Sequence, residues 1–256
     1  AYELTKEEQY RIWARRAGDC LQKAAAVYEW GNGWVNPLTK TALTGFSHGT
    51  AGIMLAFAKL GCIVGEKKYL DAAYKAFEFE EHFFDRKVWD WEDLRFKGEG
   101  SAQDSMAGGA AKCGDTKSHK IESHCMAWCH GWGGIVMARI LAGKYVGGEF
   151  KQRLEGTVND ILKHRGRNFK QDSKEDSFCL CHGKCGDAVI YAMNRWGDSK
   201  GQKEMIGSEI ERGCGLREIL EIQECSNYGL MGGITGIGYY FLCVEEAASL
   251  LRVELD

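Results

Sequence analysis

"CHGWGGIVMARILA", residues 129–142, is the stretch whose reading decides the fold. A Cys-His pair leads into G-x-x-G, and the residues that follow are apolar nearly all round. The pattern recurs: "SHGTAGI" at 47–53, "CHGKCGDAVI" at 181–190 and "MGGITGIG" at 231–238. Aligned on the second glycine, at Gly52, Gly134, Gly186 and Gly236, the spacings are 82, 52 and 50 residues. A repeat of about fifty residues follows, with some thirty inserted in the first interval.

Between the glycine motifs lie amphipathic helical patterns. Leu70, Ala73, Phe77 and Phe84 share one face of 66–85; Phe150, Leu154, Val158, Ile161 and Leu162 share one face of 149–164. These are outer helices. The segments after the motifs, "GIMLAFAKL", "GIVMARILA" and "DAVIYAMNRW", suit inner helices packed between two layers. One inner and one outer helix per repeat predicts an all-α fold, an α/α toroid or helical solenoid. Glycine at the start of each inner helix permits tight turns and close backbone approach. The four loops should then open on one end of the assembly and bring His48, Cys129, Cys181 and His182 together.

The organisation expected is one domain over 1–256: an outer helix and linker at 1–37, repeat hairpins at 38–96 and 125–256, and an inserted loop at 97–124. That insertion, rich in Gly, Ser, Ala and Lys, lacks apolar periodicity. The single proline, Pro37, favours long uninterrupted helices. A formal charge of -3, with both signs mixed along the chain, offers no basic face for a polyphosphate backbone, so nucleic acid is not an expected partner. No secretory leader opens the chain, and its apolar runs are too short to span a membrane, so it reads as soluble and unexported. Eleven cysteines, an odd number, in a chain of 256 residues fit reduced thiols and a metal better than a disulfide framework.

Cys129, Cys181 and His182 could supply the three protein ligands of a catalytic zinc with an open fourth position, where a substrate thiol would be deprotonated. Spacing alone leaves alternatives open. Cys179 and Cys185 compete as ligands, C-x-C and C-x-x-C spacing also permits a redox pair, and His130 follows Cys129 as His182 follows Cys181. His48 occupies the corresponding loop position without a neighbouring cysteine, which leaves it available as a proton donor or acceptor. Asp90, Glu92 and Asp93 in "VWDWEDLRF" read as a loop at the end of an outer helix.

In order, "LTGFSHGTAGI", "AWCHGWGGI", "CLCHGKCG" and "YGLMGGITGIGYYFL" resemble the lanthionine synthetase C family, most closely the C-terminal cyclase region of class II lanthipeptide synthetases (LanM). "WDWEDLR" and the terminal "RVELD" share that likeness, which covers roughly 38–256. The resemblance implies that Cys129, Cys181 and His182 bind Zn2+ and that His48 is the active-site histidine. The implied reaction adds cysteine thiols of a dehydrated precursor peptide to dehydroalanine or dehydrobutyrine, making lanthionine or methyllanthionine in a bacterial cytoplasm. Two departures stand out: Cys125 where the family's single-function cyclases carry arginine, and Gly133 where proline is common. The family barrel has seven inner and seven outer helices, whereas four motifs supply four or five hairpins. The expected partners therefore include the missing N-terminal part of a synthetase, or a partner chain that completes the barrel. Two rivals remain: a peptide-binding scaffold with structural zinc closed by Cys179 or Cys185, and thiol addition to a different electrophile, as in the family's eukaryotic relatives.

Overall fold

The computed structural model describes residues 1–96, 127–165, 178–193, 204, 206–208 and 228–242. The insertion expected at 97–124, the terminal "RVELD", His119, His124 and Cys125 lie outside the described residues. The chain divides into two compact units, 1–44 with 48–123, and 45–47 with 124–256. Among the described residues both are built from helices, with two short hairpins in the first.

In the first unit, α1 (Tyr2–Thr5) and α2 (Glu8–Ala24) precede a hairpin of β1 (Ala26–Tyr28) and β2 (Gly31–Gly33). The expected outer helix and linker of 1–37 thus contain a β-hairpin. Its pairs are Ala26↔Gly33, Val27↔Asn32 and Tyr28↔Gly31, joined by a two-residue turn. Gly31 has φ +138, and a Cβ there would lie 2.5 Å from both the Lys75 carbonyl oxygen and the Phe79 nitrogen. The hairpin therefore rests on helix backbone, and only glycine fits between. Trp30 in the turn stacks on His82 with ring centroids 4.2 Å apart.

The inner helix α3 (Thr50–Val64) begins where the Thr50 N–H and hydroxyl both donate to the Leu43 carbonyl, each at 2.9 Å. It ends on Gly65 at φ +71, whose N–H returns to the Gly61 carbonyl, the left-handed cap that glycine adopts without Cβ strain. The outer helix α4 (Lys67–His82) packs back on α3, burying Tyr69, Ala73, Ala76, Phe77 and Phe79. Phe84, expected on that face, lies instead in β3 (Phe84–Asp85), paired with β4 (Asp90–Trp91) ahead of a short 3-10 turn (Leu94–Phe96). The helix α2 meets this pair through Gly18, where a Cβ would come within 2.5 Å of Leu60 and 2.9 Å of Tyr69. Above it, the buried Tyr69 hydroxyl is 2.8 Å from Asp19 Oδ1, which also pairs with Lys68 Nζ at 2.7 Å.

In the second unit, α5 (Trp132–Ala142) packs against α6 (Gly148–Arg165) and against α7 (Lys184–Met193), and α7 packs against α8 (Ile234–Leu242). The order explains the apolar composition of α5: with helices on two sides, every residue except Ile140 is buried. Even Arg139 is buried, at 1% exposure. By contrast α6 buries Leu154, Val158 and Ile161 and exposes Lys151, Gln152 and Glu155, the one-sided pattern of an outer helix. Among the described residues, no helix is long and apolar enough to cross a membrane.

Candidate metal centre

All four glycine motifs fold alike. Each runs through a three-residue turn, and the inner helix starts directly after the first glycine, at Thr50, Trp132, Lys184 and Ile234. The second glycine sits in the first helical turn for a steric reason. A Cβ on Gly134 would stand 2.0 Å from the Trp128 carbonyl oxygen, one on Gly186 1.9 Å from that of Leu180, and one on Gly236 1.9 Å from that of Leu230. In each case the loop folds back over its own helix with the carbonyl six residues upstream pressed onto the glycine.

That geometry fixes which residues face each other. Cys129 and Cys181 both lie two positions before the first glycine, where repeats one and four carry Ser47 and Met231. Backbone bonds link neighbouring loops at this position: the Ser47 N–H donates to the Cys129 carbonyl, and the Cys181 N–H to the Met231 carbonyl, both at 2.9 Å. The loop carrying Cys129 is held further by Phe46, whose ring tilts against Trp128 at 5.2 Å, and by Gly45. Gly45, at φ +98, lets the chain pass so close that a Cβ would meet His130 Cα at 2.8 Å.

Cys129, Cys181 and His182 each offer a ligand atom, and these three atoms all lie within 4.8 Å of one another. Among the described residues this is the one group of three or more such side chains that could hold a metal ion. Cys129 is buried and Cys181 half-buried. The His182 imidazole is pushed up to about 10 by hydrogen bonding to the sulfurs of Cys179 and Cys181, which outweighs the opposing effect of burial.

The donor set fits zinc. Ligands at about 2.0–2.3 Å in a tetrahedron lie about 3.5–3.8 Å apart, so a group already within 4.8 Å needs only a small contraction. Two thiolates and an imidazole match the borderline softness of the ion. Three protein ligands would leave one tetrahedral position on such an ion.

The other candidates from the sequence fall differently. Cys179 is buried and bonds to His182, but it stands outside the group of three. Cys185 is buried in the first turn of α7, and the hydroxyl of Tyr240 in α8 is pushed up first by burial and then by the charge of Cys185. His130 places Nδ1 2.8 Å from Cys129 Sγ and is not part of the group. That contact, and the bonding of His182 to Cys179, had no sequence signal beyond the repeated Cys-His pair. His48 is exposed in the turn before α3, at the position that His182 occupies in its own repeat. Asp90 is buried in β4, accepting the Trp91 N–H, and Asp93 pairs with Arg95 of the 3-10 turn that follows.

Comparison with known proteins follows the same lines. The chain is 26% identical over 226 residues to the lacticin 481/lactococcin biosynthesis protein LcnDR2 of Lactococcus lactis subsp. lactis, covering 78% of this chain and 20% of that one. It therefore spans about a fifth of the length of this relative. Among solved structures it is similar to nisin cyclase, at 20% identity and a TM-score of 0.48 over 82% of this chain and 50% of the other. The family model described as lanthionine synthetase C-like protein matches residues 2–253, and the chain belongs to that family.

Proposed function

We propose that this chain is the zinc-bearing part of a lanthipeptide cyclase, in which Cys129, Cys181 and His182 are the metal ligands and His48 moves the proton. The observation that carries the reading is the convergence of two thiols and an imidazole from two separate repeats in a chain of this family. Zinc bound there lowers the pKa of an incoming thiol and so supplies a thiolate nucleophile at neutral pH. The reaction forms a bond from the sulfur of a precursor-peptide cysteine to the β-carbon of dehydroalanine or dehydrobutyrine, and the α-carbon gains a proton. Mass is unchanged, and a thioether ring results.

The chain's own residues have three tasks in this reading. Cys129, Cys181 and His182 hold the ion with one position left for the peptide sulfur. The short α7 and α5 turns keep those ligands fixed, because the carbonyls packed on Gly134 and Gly186 leave the loops little freedom. His48, exposed at the loop surface, delivers a proton from an imidazole nitrogen to the α-carbon. The hairpins belong to an α/α toroid whose remaining helices, and whose dehydrating activity, come from the rest of a bacterial cytoplasmic synthetase or from a partner chain.

The experiment is ring formation on a dehydrated precursor peptide by the full-length synthetase, read as loss of alkylatable thiols at constant mass. Cys181→Ala is expected to lose both bound zinc and cyclisation. Stoichiometric zinc in that variant would remove Cys181 from the ligand set. An X-ray absorption spectrum showing three sulfurs on the metal would instead favour a closed structural site with Cys179 as fourth ligand.

A further inference from the structure

His130 follows one of the cysteines just described, yet its ring lies in the wrong place to be a fourth ligand. Its Nδ1 is 2.8 Å from Cys129 Sγ. Two co-ligands of a tetrahedral zinc, at about 2.3 Å for sulfur and about 2.0–2.1 Å for nitrogen, stand about 3.6 Å apart. A separation of 2.8 Å would close the angle at the metal to about 80°, far from the tetrahedral value. It does lie within hydrogen-bond reach of the sulfur, and His130 stands outside the group of three that could share one ion. We propose that His130 is a positioning residue for Cys129, donating Nδ1–H to its sulfur and thereby setting both the direction and the electron-donating power of that thiolate. The inference rests on the reading of Cys129 as a metal ligand.

The surroundings make this contact a built feature. The backbone on either side of it is clamped: Ser47 N–H holds the Cys129 carbonyl at 2.9 Å, and the missing side chain of Gly45 admits the chain to 2.8 Å from His130 Cα, measured from where a Cβ would be. Trp128, just before the pair, is packed on Phe46. With the peptide of Cys129 and His130 so held, the imidazole Nδ1 stands 2.8 Å from the sulfur beside it. A hydrogen bond to a coordinating thiolate withdraws charge from it and fixes its orientation, and the loss of such an outer partner typically costs about 10–100-fold in metal affinity. Sequence symmetry made His130 and His182 equivalent. The geometry gives them different work, His182 among the ligand atoms and His130 behind one of them.

The test uses cobalt(II) as a spectroscopic probe and zinc affinity by chelator competition, on the full-length protein. His130→Phe keeps a ring and removes the donor, whereas His130→Asn restores an N–H close to the Nδ1 position. The expected result for His130→Phe is one cobalt per chain, a sulfur-to-cobalt charge-transfer band moved to lower energy, and zinc affinity weakened by about 10–100-fold. His130→Asn is expected to return both toward wild type. His130→Ala serves the same comparison if the phenylalanine variant does not fold. Unchanged band and affinity in the donorless variant would overturn the proposal, as would loss of a nitrogen ligand from the cobalt spectrum, which would make His130 a ligand itself. Cys129→Ala separates the two levels: if it binds cobalt as wild type does, the ligand reading of Cys129 has failed, whatever the His130 variants show.

Discussion

Consider one substitution, glycine to alanine, made at two helical positions. In α6, Gly156 has nothing within 4 Å of the place a Cβ would occupy. There the change removes backbone entropy from the unfolded chain and adds helix propensity, a gain of about 0.5–1 kcal/mol. In α7, Gly186 faces the Leu180 carbonyl, with oxygen 1.9 Å and carbon 2.7 Å from the same Cβ position. Real Cβ contacts essentially never fall below 3.0 Å, so the loop must retreat by about 1 Å. That loop carries Cys181 and His182, while metal ligands have a tolerance of about 0.2 Å in distance. The propensity gain is still present, but overpacking against backbone typically costs about 1–3 kcal/mol and here has no flexible side chain to absorb it. Gly156→Ala should therefore raise the melting temperature by about 2–4 °C and leave bound zinc unchanged. Gly186→Ala should lower it and release the metal. Thermal denaturation and elemental analysis read both quantities on the same preparations. A stabilised Gly186→Ala that keeps its zinc would refute the claim that carbonyl packing on the second glycine builds the ligand loop.

Three further outcomes are expected. His48→Asn should retain zinc at wild-type stoichiometry while ring formation on dehydrated peptide falls by about 100-fold or more, the usual scale for losing a positioned acid or base; equal activity would remove His48 from the reaction. Gly45→Ala, at φ +98 and with its Cβ 2.8 Å from His130 Cα, should be destabilising by about 1–3 kcal/mol, and chemical denaturation measures it. Asp19 is held below the usual carboxylate range by hydrogen bonds from Lys68 and then Tyr69. Because its folded pKa is depressed, its contribution to stability is present above about pH 4 and is lost as pH falls through the folded value. Its carboxyl resonance should titrate below that of a free aspartate, and Lys68→Met should move it upward; an unmoved titration would contradict the pairing.

The repeat was legible in the sequence because it is imposed by sterics that act within a few residues. A carbonyl pressed on the first helical turn admits only glycine, and so the second glycine of G-x-x-G marks Gly134, Gly186 and Gly236 regardless of what surrounds them. The inner and outer helices were legible for a related reason. Burial between two neighbours leaves α5 apolar nearly all round, and burial on one side leaves α6 amphipathic. The hairpin at 26–33 was missed because "AAAVYEW" continues a helical composition and the glycines that stop it are needed only where the turn meets α4.

The site divides in the same way. Sequence by itself determined the repeat, the all-α class, the family and the set of thiols and imidazoles from which a metal site is chosen. It could not divide two Cys-His pairs in equivalent positions, since local chemistry is identical at both. Only the tertiary structure set His182 in the group of three that could hold a metal ion, and His130 at 2.8 Å from the Cys129 sulfur. The physical reason is that ligation depends on distances of a few tenths of an ångström between side chains from different repeats. Those distances are fixed by the packing of α5 on α7 and by the backbone bonds between loops, and no spacing along the chain records them.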